Sequence, residues 1–314
     1  MELAPAIKPV LVVSLNTAWQ KTLHFGHLEY GDVNRARLAK ECGGGKGVNV
    51  VRVLRMLGHH CMFAGFHGGE TGALLKNEIV SSGAIDLSVK VQTKTRRCTT
   101  VISDDDGKVT ELIEPSGDVS FSEAEELLNR IEKAVPNCSA VLFVGSVPPG
   151  TPDDFCEKVA EAANNCNVPF VLDAVAGLDA LNHGCFLLKV NAAELRKIAG
   201  VENLEEGASS VFRKFPKLNA IGVTDGANPA HLFKGGHHWI FKVPRLDKIV
   251  SPIGGGDCTD AILTLRIAQG AENLPRAFAE ALASATASCL TDTPSAFDPE
   301  LAEKLTSAIS IEPI

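Results

Sequence analysis

From about residue 120 onward, short apolar runs alternate with segments whose apolar residues recur at helical spacing, which predicts a mostly parallel sheet covered by helices. Ala124, Leu127, Leu128 and Ile131 share one helical face behind Ser122 and Glu125, which have capping-box spacing, and a buried-type strand from Ala140 to Val144 follows. Thr151 and Pro152 carry cap and first-turn chemistry for the next helix, ahead of a strand from Val168 to Leu172. A third strand runs from Phe186 to Val190. Residues 9–40 and 88–115 have a different texture. They are short β-rich pieces joined by polar turns such as DDDG at 104–107, suited to a small separate sheet. Between them, Val50, Val53, Leu54 and Leu57 form an i, i+3, i+4, i+7 stripe on a helix that begins just after a glycine cluster.

The length of 314 residues suits one doubly wound α/β domain with an added small element. Hydrophobic residues at 45% and charged residues at 22%, with 14 Phe against two Trp and one Tyr, describe a soluble protein with a substantial core. The net charge is -8 with Lys and Arg scattered, so no basic stripe suits a nucleic-acid backbone and no nucleic-acid partner is expected. Nine cysteines form no C-x-x-C pair and read as free thiols in a reducing compartment. The opening MELAPAIKPVLVVSLN has no long apolar run, and no segment approaches the roughly 20 apolar residues that cross a bilayer. The expectation is a cytoplasmic protein without a membrane partner.

Two glycine-rich turns precede helices. In the first, Gly43, Gly44, Gly45, Lys46, Gly47, Val48 and Asn49 offer a close backbone approach, a cation and a two-way amide. This reads either as a polyol or phosphate site or as a structural turn, and it lacks the G-x-x-x-x-G-K spacing of a P-loop. In the second, Ser251, Pro252, Ile253, Gly254, Gly255, Gly256 and Asp257 lead into a helix through Leu263 and Ile267. Successive N–H groups at a helix start, with the positive end of the dipole behind them, make an anion hole, and a carboxylate there can act as a base or simply cap the helix. Thr259 occupies the place of the third glycine in G-x-G-x-x-G, which excludes a dinucleotide fingerprint. Asn191 and Glu194 lie on the first turn after the third strand, spaced to hold water around Mg²⁺, with Lys189 beside them as a phosphate partner or a solvated strand end.

Taken in order, GGGKGVNVVRVLRMLG at 43–58, GFHGGETG at 65–72, TRR at 95–97, TELIEP at 110–115, GSVPPG at 145–150, KVNAAE at 189–194 and SPIGGGDCTDA at 251–261 resemble the ribokinase-like (PfkB) carbohydrate kinases. The likeness is greatest to the branch of 1-phosphofructokinase and tagatose-6-phosphate kinase. It spans nearly the whole chain. It implies a three-layer α/β/α fold in a single domain over 1–314, with lid strands from about 16–40 and 88–115. It also implies a homodimer formed through that lid. The implied reaction transfers the γ-phosphate of ATP to fructose 1-phosphate, tagatose 6-phosphate or fructose 6-phosphate. Alternatives are an unphosphorylated sugar or nucleoside as acceptor, or a catalytically weak sensor of sugar phosphate and ATP. By resemblance Asp257 would be the base, and Gly254, Gly255 and Gly256 the anion hole. Gln20, Gly45, Lys46, Asn49 and Ser146 would contact the sugar, and Arg96 its phosphate. Lys189, Asn191, Glu194, Thr224 and Gly226 would serve MgATP, with Asn191 and Glu194 holding Mg²⁺ through water.

The chain departs from this pattern at a few places. Gln20 stands where relatives carry Asp, Ile113 where they carry Asn, Pro229 in place of a glycine, and Asp260 where an apolar residue is expected. Asp257 and Asp260 would share a helical face and raise the pKa of one of them, unless Asp260 is merely an exposed first-turn acid. Cys258 is either a thiol activated at a helix start or a small buried residue. Pro252 points weakly to the tagatose-phosphate and 1-phosphofructokinase branch.

Overall fold

The computed structural model of the chain describes residues 8–246, 249–251 and 253–314, so Pro252 lies outside the described residues. In chain order the strands begin with β1 (Val10–Val13), β2 (Ala18–Phe25), β3 (Leu38–Gly44), β4 (Cys61–Ala64) and β5 (Phe66–His67). They continue with β6 (Ile85–Asp86), β7 (Val89–Lys90), β8 (Arg96–Ser103), β9 (Val109–Ile113), β10 (Ala140–Val144) and β11 (Phe170–Asp173). The last are β12 (Leu187–Asn191), β13 (Ala220–Thr224), β14 (Ala230–Lys234), β15 (His237–Lys242) and β16 (Ser310–Pro313). The helices are α1 (Lys46–Met56), α2 (Gly69–Ser81), α3 (Phe121–Ala134), α4 (Phe155–Asn165) and α5 (Ala192–Ala199). α6 (Leu204–Lys214), α7 (Gly255–Ala268), α8 (Leu274–Ser288) and α9 (Pro299–Ala308) complete the set.

A ten-stranded sheet has the order β16-β15-β14-β13-β12-β11-β10-β1-β4-β6. From β6 to β13 neighbouring strands are parallel, and β14, β15 and β16 extend the sheet antiparallel. The central strands are continuous apolar runs, VLVV in β1 and AVLFV in β10, because helices cover both faces and every residue of these strands is buried. On one face Leu127, Ile131, Val159, Leu195 and Val211 pack from α3 to α6, and on the other Val50, Leu54, Leu263, Phe278 and Ala302 pack from α1, α7, α8 and α9. The result is a three-layer α/β/α fold. β1 has β4 on one side and β10 on the other, so the strand order reverses there and opens a crevice at the strands' carboxyl ends. Over that crevice stands a four-stranded sheet, β3-β2-β8-β9, which forms a lid.

Four local expectations shift. The capping box of α3 is Ser120 with Glu123, not Ser122 with Glu125. Glu123 also accepts from the Gln92 N–H at 2.8 Å, and that long-range bond selects the earlier of two equally spaced pairs. α4 begins at Phe155 rather than beside Thr151 and Pro152, since the Phe155 N–H turns back to the Pro152 carbonyl. β11 starts at Phe170 because the Val168 N–H is spent on the Ala163 carbonyl, closing α4 through Asn167 at φ 54°. β12 begins one residue later than expected and runs through Asn191. Replacing Ser120 with Ala removes the side-chain half of the capping box and should lower stability by about 1 kcal/mol, read as an earlier midpoint in urea unfolding.

Candidate active site

A cavity of about 910 Å³ occupies the crevice. Ser14, Gly145, Ser146 and Asp173 reach it from strand ends, Gly45, Lys46 and Asn49 from the start of α1, and Gly254 and Asp257 from the start of α7. Gln20, Arg96, Cys98, Glu111 and Ile113 line it from the lid. The register pairs Gln20 with Cys98 and Cys98 with Ile113, so these three form one row across the lid. Two of the chain's departures, Gln20 and Ile113, therefore stand either side of a single cysteine. Gln20 donates to the Thr100 hydroxyl at 2.6 Å.

The turn before α7 is built around Gly254, which caps the helix at φ 84°. A Cβ there would lie 2.3 Å from the Ser295 hydroxyl, which instead donates to the Gly254 carbonyl at 2.8 Å. Only glycine fits. The N–H groups of the first helical turn have no intrahelical acceptor, and together with the helix dipole they favour an anion. Asp257 sits in that turn, 8% exposed, and accepts from the Asn49 amide at 2.7 Å. Burial pushes its carboxyl above the usual range, against the opposing pull of Asn49, Lys189 and Lys46. The Cys258 thiol is fully buried, and burial with the adjacent carboxylates drives its pKa well up, which makes it an inert packing group.

Beside Asp257 lies a buried charge cluster. Asp173, at the end of β11 and 1% exposed, accepts from Lys46 and Lys189, each at 2.8 Å. Lys189 is 4% exposed and also reaches Asp260 at 3.5 Å. Burial disfavours charge on Asp173, yet Lys189, a hydrogen bond from Asp260 and Lys46 together hold it ionised, well below the usual carboxylate range. Asp260 goes the other way: burial and the Asp173 carboxylate push its carboxyl far up, toward the neutral form. Lys189 is not a solvated strand end, because its charge is locked in by Asp173 and Asp260 despite burial. Its Nζ stands 3.3 Å from where a Cβ on Gly256 would be, against the anion-binding turn.

The model of the pfkB family carbohydrate kinases matches residues 12–301. The chain belongs to that family. Among solved structures it is similar to phosphofructokinase-2 from Escherichia coli in complex with fructose-6-phosphate, at 20% identity and a TM-score of 0.83, over 96% of this chain and 99% of that one. A protein described as a possible 1-phosphofructokinase from Thermotoga maritima matches at 20% identity and 0.86, over 97% and 99%. Ribokinase from Arabidopsis thaliana, complexed with ribose and ATP, matches at 20% identity and 0.72, over 95% and 99%. The protein is thus a sugar kinase, and membership of the pfkB family implies that ATP is the phosphoryl donor.

Within this pfkB kinase the residues singled out from sequence separate into three groups. Gln20, Gly45, Lys46, Asn49, Arg96, Ser146, Glu194, Gly254 and Asp257 all line the cavity. Lys189 and Gly256 stand just behind it in the charge cluster, with Gly255 between Gly254 and Gly256 at the helix start. Asn191 and Thr224 are register partners at the ends of β12 and β13, outside the cavity, and Gly226 lies in the turn beyond. Asn191 and Glu194 form a reciprocal capping box for α5, at 2.9 and 2.8 Å. Asp260 is not exposed: it is 1% exposed, and burial first and the Asp173 carboxylate second, rather than Asp257, head the causes that push its carboxyl up. Sequence reading missed Asp173 and Asn16, whose amide donates to the Ser146 hydroxyl at 2.9 Å. The signal for Asp173 was an acid at the carboxyl end of a buried parallel strand.

Replacing Asp173 with Asn leaves two lysines without their shared counter-charge, one of them fully buried. A loss of about 3–5 kcal/mol is expected in urea unfolding at neutral pH. The folded pKa of Asp173 is depressed, so its contribution is present above about pH 4 and fades as pH falls further; the gap between the two proteins should narrow in acid.

Proposed function

We propose that this sugar kinase phosphorylates a ketohexose that already carries a phosphate, with fructose 1-phosphate, tagatose 6-phosphate and fructose 6-phosphate as the candidate acceptors. The observation that carries the reading is the buried Asp257 carboxylate at the anion-binding turn, held by Asn49 from the sugar side of the same cavity. The acceptor hydroxyl oxygen attacks the γ-phosphorus of ATP, the bond from phosphorus to the ADP oxygen breaks in line, and Asp257 takes the hydroxyl proton. N–H groups of Gly255 and Gly256 receive the migrating charge, with Lys189 behind them. Gly45, Lys46, Asn49, Gln20 and Ser146 orient the sugar, while Thr224 and Gly226 contact the nucleotide. Pairing of two subunits through the lid belongs to the same proposal, supported by the exposed Leu112 on the outer strand β9.

Arg96 supports a phosphorylated acceptor. It lines the cavity, its Nη2 donates to the Asn16 carbonyl at 3.3 Å and its Nη1 to that of Glu114 at 3.5 Å, and its buried Nε has no partner among the described residues. A planar guanidinium with spare donors suits a phosphate. The two long bonds to carbonyls also favour a second reading, in which Arg96 only ties the lid root and the acceptor is a free sugar. For Mg²⁺ the donor set fits a cation held through water. Among the described residues no three His, Cys or carboxylate side chains converge to ligate a metal directly. Glu194 spends Oε2 on the Asn191 N–H, which leaves Oε1 for a water, and the metal would supply charge neutralisation on the phosphates.

Incubation with MgATP and a panel of the three phosphosugars and their free sugars should give ADP release on a phosphosugar, reduced about 10²- to 10⁴-fold in Asp257→Asn. Arg96→Gln should raise KM for the phosphosugar about 10-fold or more; unchanged kinetics would favour the free sugar. Asp257 works only when ionised and its pKa is raised, so kcat should fall on the acid side at a pH above the ordinary carboxylate range of about 4.

A further inference from the structure

Arg52 stands behind the site, on the second turn of α1, and does not line the cavity. Its Nη1 donates to the Asn49 side-chain amide oxygen Oδ1 at 2.6 Å and to the Pro294 backbone carbonyl at 3.4 Å. Its Nη2 donates to the Gly43 carbonyl at 2.9 Å and to Glu78 at 3.0 Å, and Glu78 in turn accepts from the Gly43 N–H at 2.6 Å. Four separate pieces of the molecule thus meet one guanidinium. They are α1, the end of lid strand β3, helix α2, and the loop whose Ser295 holds the Gly254 carbonyl.

A guanidinium can only donate, and an ionised carboxylate can only accept. An asparagine between them has one satisfactory orientation, with its oxygen toward Arg52 and its NH₂ toward Asp257. Without Arg52 the amide is free to turn over and offer its oxygen to a protonated Asp257 equally well. We propose that Arg52 is a positioning residue for phosphoryl transfer, which fixes the Asn49 amide so that it donates to the Asp257 carboxylate and ties that amide to the root of the lid. The inference rests on the assignment of Asp257 as the base. Lys46 on α1, Lys189 on β12 and Asp173 on β11 also face Asp257, with the Cys258 thiol beside it, and all four are unchanged in the variants below.

Two readouts test it, both on the full chain. The pH dependence of kcat should have its acid limb moved to higher pH in Arg52→Gln, by enough to lower kcat about tenfold per pH unit of displacement on that limb, with KM for ATP unchanged. Arg52→Lys, which keeps the charge and one donor, should recover part of the displacement. The second readout is a carbon-13 NMR titration of the Asp257 carboxyl, assigned by its absence in Asp257→Asn, which should move in the same direction. A purely structural role for Arg52 would scale kcat uniformly and leave both curves in place, and that result in a variant with native circular dichroism overturns the proposal. If Arg52→Gln does not fold, the Arg52→Lys curves decide on the same terms. Full turnover by Asp257→Asn would overturn the base assignment alone, and the NMR titration would still decide the role of Arg52.

Discussion

Two lysines from opposite sides of the crevice close on a single buried carboxylate, and the geometry of the site follows from that bridge. Lys46 arrives on the glycine turn that opens α1, Lys189 on β12, and Asp173 takes one on each oxygen. Holding two cations at a helix N-terminus would be self-defeating without an anion between them. Full charge on Asp173, Asp257 and Asp260 together would set three anions against two cations where a phosphate must approach. Asp260 eases this: burial and the Asp173 carboxylate push its carboxyl far up, toward the neutral form, while its Oδ2 accepts from Lys189 at 3.5 Å. With Asp257 ionised, the two lysines and two carboxylates balance, and an incoming phosphate meets oriented N–H groups rather than a wall of like charge.

The layered sheet was legible in the chain because parallel strands buried on both faces must be written as unbroken apolar runs, and Ala140 to Val144 is such a run. Both glycine turns were legible for a related reason, since positive φ at Gly45 and Gly254 leaves few alternatives. Asp173 was not, because what makes it special is contact with Lys46, 127 residues away, and no local pattern encodes that. Asp260 failed in a more instructive way. An acid near the start of a helix ordinarily belongs in solvent, and Asp260 is buried in the second turn of α7 beside Asp173 and Lys189. The shift of the α3 cap from Ser122 to Ser120 has the same origin on a smaller scale, in that a distant N–H on Gln92 broke a local tie.

The lid shows how modest changes in sequence concentrate in space. Gln20 and Ile113 are 93 positions apart along the chain, yet the lid register sets them on either side of Cys98. A row that would otherwise present charge and amide to a polyol presents an amide already engaged with Thr100, a thiol and an aliphatic side chain. This row faces the same cavity as the start of α7, from the lid side.

The order of the strands in the sheet has a consequence for the growing polypeptide. From β10 to β15 each strand lies beside its predecessor in the chain, so this half of the sheet is built from neighbours in sequence. The groups of the cluster occur in the chain in the order Lys46, Asp173, Lys189, Asp257 and Asp260, basic and acidic in turn until the last. Asn49 and Asp257 stand 208 positions apart, so the contact that joins the two glycine turns can form only once residue 257 has been synthesised.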